Sequence, residues 1–177
     1  MRKPLIKPTP DSVKFKVGQL VVYPAHGVGR IAMVEKQEIL GDMIEFYVVK
    51  FAHEKMILRV PKAKAGAQGM RPLSEPKEID TAIILLQGRA RVKRTMWSRR
   101  AQEYEAKINS GSLTQVAEVV RDLFRAPEQP EQSYSERQLY EIALDRMARE
   151  VSAVRKSEMP AAVEELLVSL GKKQIAA

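Results

Sequence analysis

Residues 44–60 read IEFYVVKFAHEKMILRV, and this stretch decides how the first half of the chain folds. It contains two runs of β-branched and aromatic residues, 44–51 and 56–60, and Pro61 closes the second run. Such short runs, rich in valine, isoleucine, tyrosine and phenylalanine, favour strands over helices. We therefore predict two strands here.

The same pattern continues towards the N-terminus. Residues 20–23 form another compact apolar run, residues 27–29 read Gly-Val-Gly and predict a turn, and residues 30–39 predict a further strand. Leu40-Gly41-Asp42 has the composition of a turn. Short strands with turn-rich links predict a small barrel of Tudor-like or SH3-like type over residues 14–72.

Residues 73–171 change to a helical period, with apolar residues spaced three and four apart. Ser98, Ser112 and Ser135 are placed to cap helices, and Gly171 is placed to end the last one. About five helices are expected. The fold class is therefore α+β, with two domains.

The two ends of the chain have a different composition. Residues 1–13 contain three prolines and three basic residues, which predicts a flexible basic tail. Residues 172–177 are expected to form a short C-terminal tail.

Composition excludes several classes of function. The 177-residue chain has no cysteine, and its only histidines are His26 and His53, so disulfides and typical zinc sites are excluded. No acid–base or nucleophilic constellation can be assembled, and we expect neither enzymatic activity nor a cofactor. No apolar stretch of about 18 residues exists, so a soluble cytoplasmic protein without membrane contact is expected.

Positive charge is concentrated in residues 87–100. The chain carries a formal net charge of +8, and this segment holds six basic residues and no acidic one. They are Arg89, Arg91, Lys93, Arg94, Arg99 and Arg100, and they bracket Met96 and Trp97. Lysine and arginine neutralise phosphates with release of counterions, while a flanked aromatic ring can wedge against a base step. The segment therefore indicates a nucleic-acid interface.

A structural interpretation of the same residues is equally open. Trp97 is the only tryptophan and could anchor the helical core, with the arginines forming a solvated face. The absence of any acid across the segment favours nucleic acid, because solvated helix faces usually mix charges of both signs.

Several motifs in fixed order resemble the CarD family of bacterial transcription regulators. Phe15-Lys16-Val17-Gly18, residues 21–24 and residues 26–29 resemble the opening of its first domain, which is similar to a module of the transcription-repair coupling factor. Leu58-Arg59-Val60-Pro61 resembles the closing strand of that module. Trp97-Ser98-Arg99-Arg100 and residues 116–123 resemble the helical domain. The resemblance covers roughly residues 14–170.

The resemblance implies a role in transcription initiation. CarD-like proteins bind the β subunit of bacterial RNA polymerase through strand-edge contacts of a Tudor-like domain. Their helical domain places a tryptophan, here Trp97, in the minor groove at the upstream edge of the melted promoter and stabilises the open complex. Arg59 falls on the polymerase-facing part, and Tyr47, Val49 and Phe51 are expected to share that surface. Such a protein would be a nucleoid-associated monomer.

One position departs from the family pattern, and two other functions fit the same features. Some family members carry another basic residue one turn after the tryptophan motif, where this chain has Gln102. A basic segment and a small barrel also suit an RNA- or ribosome-associated protein. A protein-only adaptor, with Trp97 buried, is the third possibility.

Overall fold

The computed structural model describes residues 14–175, which form two compact units. The first consists of residues 14–21 and 29–72, and the second of residues 22–28 and 73–175. Strands in the first part of the chain and helices in the second confirm the α+β prediction. The basic tail predicted at residues 1–13 lies outside the described residues.

The N-terminal half forms one five-stranded sheet with the order β4-β3-β2-β1-β5. Its strands are β1 (Leu20–Tyr23), β2 (Gly27–Ile39), β3 (Asp42–Phe51), β4 (Met56–Pro61) and β5 (Arg71–Pro72). β4 pairs antiparallel with β3, from Phe46 opposite Pro61 to Phe51 opposite Met56. Because β4 is the first strand in the sheet order, its outer edge has no partner strand among residues 14–175.

One face of β3 builds the core of the β unit. Tyr47, Val49 and Phe51 point to the same side, as alternate strand residues must, and all three are buried. Gly29 lies against them, and a Cβ added there would come within 2.7 Å of Val49 Cγ1 and of a Phe51 ring carbon. Residues 27–29 are therefore not the predicted turn. They begin β2, and glycine is needed at position 29 for close packing rather than for a bend.

The second unit contains five helices, as predicted. They are α1 (Pro76–Leu86), α2 (Trp97–Ile108), α3 (Leu113–Leu123), α4 (Tyr134–Arg155) and α5 (Met159–Ile175). α3 is the central helix, since eight of its eleven residues are buried and it packs against α1, α2 and α4. Among the described helices none is both long and apolar enough to span a bilayer.

Two of the predicted helix caps are displaced by two residues. α2 begins at Trp97 with Met96 as its N-cap, so Ser98 lies inside the first turn. α4 is capped by Ser133, whose hydroxyl accepts from the amide of Glu136 while the Glu136 carboxylate accepts from the amide of Ser133. An anionic glutamate in the first turn also suits the helix dipole, which favours this cap over Ser135 with Gln138.

The other two helix signals had different outcomes. Ser112 caps α3 as predicted and accepts a hydrogen bond from the Gln115 amide at 3.4 Å. The predicted helix end at Gly171 is wrong, because α5 continues to Ile175. A glycine inside a helix costs only about 1 kcal/mol relative to alanine, so neighbouring helical residues can carry the chain through it.

The β2–β3 turn stores strain that a substitution can release. Leu40 and Gly41 connect the strands with φ values of 51° and 82°, the pair of positive angles that a type I′ turn requires, and Leu40 is fully exposed. Leu40→Asn is expected to raise the free energy of unfolding by about 0.5–1 kcal/mol, because asparagine tolerates this conformation. Denaturant titration measures the change. Leu40→Val, which is β-branched, serves as the control and should lower stability.

Candidate nucleic-acid interface

The basic segment forms the loop between α1 and α2 and continues into the first turn of α2. Arg89, Arg91, Lys93, Arg94 and Arg99 are all exposed. Lys93 pairs with Glu103, with 3.1 Å between Nζ and Oε2. The guanidinium groups of the other four form no ion pair with any residue that the structure describes. Four free cations on one short segment can neutralise phosphates without first breaking an internal pair.

A buried carboxylate ties this loop to the helical core. Asp122 on α3 is 2% exposed, and its Oδ1 accepts from the backbone amide of Arg91 at 3.0 Å and from Arg121 Nε at 2.8 Å. Arg121 is itself buried. The loop is therefore held at Arg91 by its backbone, and the Arg91 side chain remains in solvent. Asp122 was not among the predicted site residues, because no local pattern links residues 31 positions apart.

Trp97 is partly buried. Its indole packs against the helical core, and its ring centroid lies 6.2 Å from that of Tyr104 with a 45° tilt between the rings. The structure thus combines both interpretations of this residue: the indole packs against the core and is still partly exposed.

The Arg100 guanidinium contacts the Trp97 indole. Its Cζ lies 5.3 Å from the Trp97 ring centroid and 5.9 Å from that of Tyr104, within the range of cation–π attraction. Its Nε is buried and has no hydrogen-bond partner among the described residues. Of the six predicted basic site residues, Arg100 is therefore the one whose position suits orienting Trp97 more than binding a phosphate.

A cleft of about 470 Å³ lies beside the anchored loop. It is lined by Ala90, Arg91, Val92 and Lys93 from the loop, by Lys107 from α2, and by Glu118, Arg121 and Asp122 from α3. Lys107 and Glu118 form an ion pair of 2.8 Å across it. Carboxylates thus balance most of the cations in the cleft. In residues 14–175 no group of three or more metal-ligating side chains was found, so nothing there points to a metal centre.

A second candidate surface lies on the β unit. Arg59 on β4 is exposed, and its Nε donates to Glu35 Oε2 at 2.9 Å across β3. Val48, opposite Arg59, and Val49, opposite Leu58, alternate in direction, so Arg59 lies on the sheet face opposite to the core. Ile57 on the same face is 54% exposed.

Three residues predicted to contact a partner do not reach that surface. Tyr47, Val49 and Phe51 are 2%, 0% and 1% exposed, and their side chains fill the core of the β unit. The hydroxyl of Tyr47 accepts a hydrogen bond from the Phe15 amide at 3.1 Å. Their expected role as polymerase contacts is therefore corrected: the period of two in a strand places them opposite Arg59.

Comparison with known proteins matches both units. The family described as "CarD, C-terminal domain" matches residues 81–167, and that described as "CarD-like/TRCF RID domain" matches residues 15–74. The protein YdeB of Bacillus subtilis, whose name describes it as a candidate transcription factor, is 26% identical over 141 residues. This alignment covers 80% of the chain and 92% of YdeB.

Removal of the buried carboxylate tests the anchor of the basic loop. Asp122→Ala is expected to lower the free energy of unfolding by about 3 kcal/mol, because the Arg121 guanidinium and the Arg91 amide would both lose the buried carboxylate that they bind. Thermal or denaturant unfolding measures this loss. Glu103→Ala removes the exposed partner of Lys93 and should cost less than about 1 kcal/mol. Equal losses for the two variants would show that Asp122 is not an anchor.

Proposed function

We propose, on the premise that the chain belongs to the CarD family of transcription factors, that it binds the β subunit of RNA polymerase and stabilises the open promoter complex. The chain is a transcription regulator and not an enzyme, because this is a family of non-enzymatic transcription factors. In this proposal the β unit binds the polymerase and the helical unit contacts promoter DNA. It includes action as a monomer in the cytoplasm, associated with the nucleoid through the polymerase.

The observation that carries the DNA contact is the set of free cations around a half-buried indole. Arg89, Arg91, Arg94 and Arg99 supply charge for backbone phosphates, and Trp97 supplies an aromatic edge at the start of α2. Because the indole is packed on one side, it enters a groove without first losing much side-chain entropy. An apolar wedge of this kind favours a distorted or partly unstacked step in the minor groove, such as the upstream edge of the bubble.

The outer edge of β4 supports the polymerase contact. An edge strand presents unpaired backbone groups that accept a partner strand, and neighbouring side chains choose the partner. Arg59 lies on this strand beside exposed Ile57. Its pairing with Glu35 is half exposed, so a carboxylate on the partner can replace Glu35 at little cost.

The two contacts together give a simple mechanism. Binding to the polymerase raises the local concentration of the helical unit at the promoter, so that a weak DNA contact suffices. A wedge that fits the melted junction better than closed duplex shifts the equilibrium towards the open complex. A difference of about 1.4 kcal/mol in affinity for the two states changes their ratio tenfold. Little sequence readout is expected, because minor-groove patterns are degenerate.

Replacement of the indole tests the DNA contact. Trp97→Ala is expected to shorten the lifetime of an unstable open complex about tenfold relative to the unmodified protein, while binding to free polymerase is unchanged. Filter-binding or fluorescence decay after addition of a competitor measures the lifetime. Because Trp97 also packs against the core, Trp97→Phe and a thermal melt of each variant control for loss of stability. An unchanged lifetime with Trp97→Ala would rule out the wedge.

Charge reversal on the edge strand tests the polymerase contact. Arg59→Glu is expected to weaken binding to purified polymerase at least tenfold, because it places a carboxylate opposite the partner's carboxylate. Surface-based or calorimetric titration against a β-subunit fragment measures the affinity. Lys16→Glu, an equal charge change at an exposed residue outside the five strands, is the matched control and should bind normally. Co-purification with ribosomes instead of polymerase would contradict the proposed partner.

A further inference from the structure

Met96 is the most exposed apolar side chain of the basic segment. It is 77% exposed, whereas the adjacent Trp97 is only partly so and Val92 in the same loop is 42% exposed. Single exposed apolar residues are common on protein surfaces, so exposure alone has no functional meaning. The position of Met96 in the backbone and among the charges indicates that its exposure has a function.

Met96 occupies a backbone position where a different residue would stabilise the protein. It is the N-cap of α2, and no side chain caps the helix. Serine, threonine, asparagine or aspartate at an N-cap is worth about 1 kcal/mol relative to an apolar residue. The chain thus gives up a cap in favour of an exposed methionine, and such departures from local preference are concentrated at functional sites.

The backbone of Met96 is fixed although its side chain is free. Its carbonyl oxygen accepts from the amides of Arg99 and Arg100, both at 3.1 Å, which locks the first turn of α2. The Met96 side chain therefore extends into solvent from a backbone that is held in place. A flexible thioether on a rigid base can adapt to an irregular apolar surface without much loss of backbone entropy.

The charges around Met96 define the partner. Arg94 and Arg99 are exposed on either side of it in sequence, form no ion pair with any described residue, and have no acidic residue in the first turn of α2 beside them. An apolar side chain between two free cations matches a base step between two backbone phosphates. A protein pocket would need an acidic rim to balance the same cations, and burying them there would be costly.

We propose that Met96 is a second apolar contact with the DNA, inserting at the unstacked base step beside Trp97. Methionine is among the side chains that wedge between base steps in the minor groove. The proposal rests on the proposed function, because it assumes that the helical unit meets the melted junction. It adds that two adjacent side chains, Met96 and Trp97, contact the junction together.

Substitutions at Met96 test this contact in the full-length chain. The lifetime of an open complex is measured with polymerase holoenzyme and with each variant at a concentration that saturates the polymerase. Met96→Ala and Met96→Gln should shorten the lifetime on the order of fivefold, since each removes most of the apolar surface, and Met96→Leu should stay within about twofold. Ile84→Ala, which shortens an exposed apolar side chain of α1 outside the basic segment, is the matched control and should leave the lifetime unchanged. All four variants should melt as the unmodified protein does, because both side chains are exposed.

A base analogue reports the insertion directly. With 2-aminopurine at the upstream edge of the bubble, the unmodified protein should raise its fluorescence by unstacking, and Met96→Ala should abolish most of the increase. Met96→Lys separates wedging from electrostatics: a lysine should also lose the increase, whereas retention of both fluorescence and lifetime would show that only charge matters and would overturn the proposal.

The failure of this proposal is distinguishable from failure of the proposed function. If Trp97→Ala shortens the lifetime and Met96→Ala does not, the methionine contact is wrong and the wedge at Trp97 stands. If the unmodified protein itself does not lengthen the lifetime, the proposed function and this proposal both fail. If Met96→Ala weakens binding to free polymerase, the side chain contacts protein and the DNA contact is overturned.

Discussion

The position of the basic loop between α1 and α2 depends on one buried carboxylate. Asp122 lies on the central helix α3 and binds both the buried Arg121 guanidinium and the backbone amide of Arg91. A buried charge of this kind is tolerated only when its hydrogen bonds are made. Movement of the basic loop away from α3 would break the bond between the Arg91 amide and Asp122, and the unsatisfied carboxylate would destabilise the fold. The hydrogen bond from the Arg91 amide to Asp122 therefore fixes the backbone of the basic segment at that residue.

Around that fixed point, some side chains of the basic segment pack against the helical core and others remain in solvent. Arg100 lies over the rings of Trp97 and Tyr104, and so its charge is used to orient an aromatic pair. The remaining arginines stay in solvent. This division leaves one short basic stretch with a fixed backbone and exposed charges: Arg91 and the Trp97 ring are held from within, while the guanidinium groups of Arg89, Arg94 and Arg99 and the Met96 side chain lie in solvent.

The β unit obeys a different constraint, the alternation of side chains along a strand. The core needs large residues on one face of β3, and Gly29 lets β2 come close enough to pack against Val49 and Phe51. Once those residues turn inward, Arg59 must lie on the other face of the sheet. The edge position of β4 follows from the sheet order and leaves that strand available to a partner.

The sequence by itself determined the fold class, the five helices and the charge of the interface, because period, turn residues and lysine or arginine content are local properties. It placed the caps of α2 and α4 only approximately, since Ser98, Ser133 and Ser135 compete within a few residues. It could not show that Tyr47, Val49 and Phe51 point inward, that Asp122 anchors Arg91, or that Met96 is exposed at an uncapped helix start. Those facts depend on which distant residues meet, and burial and long-range pairing exist only once the tertiary structure has formed.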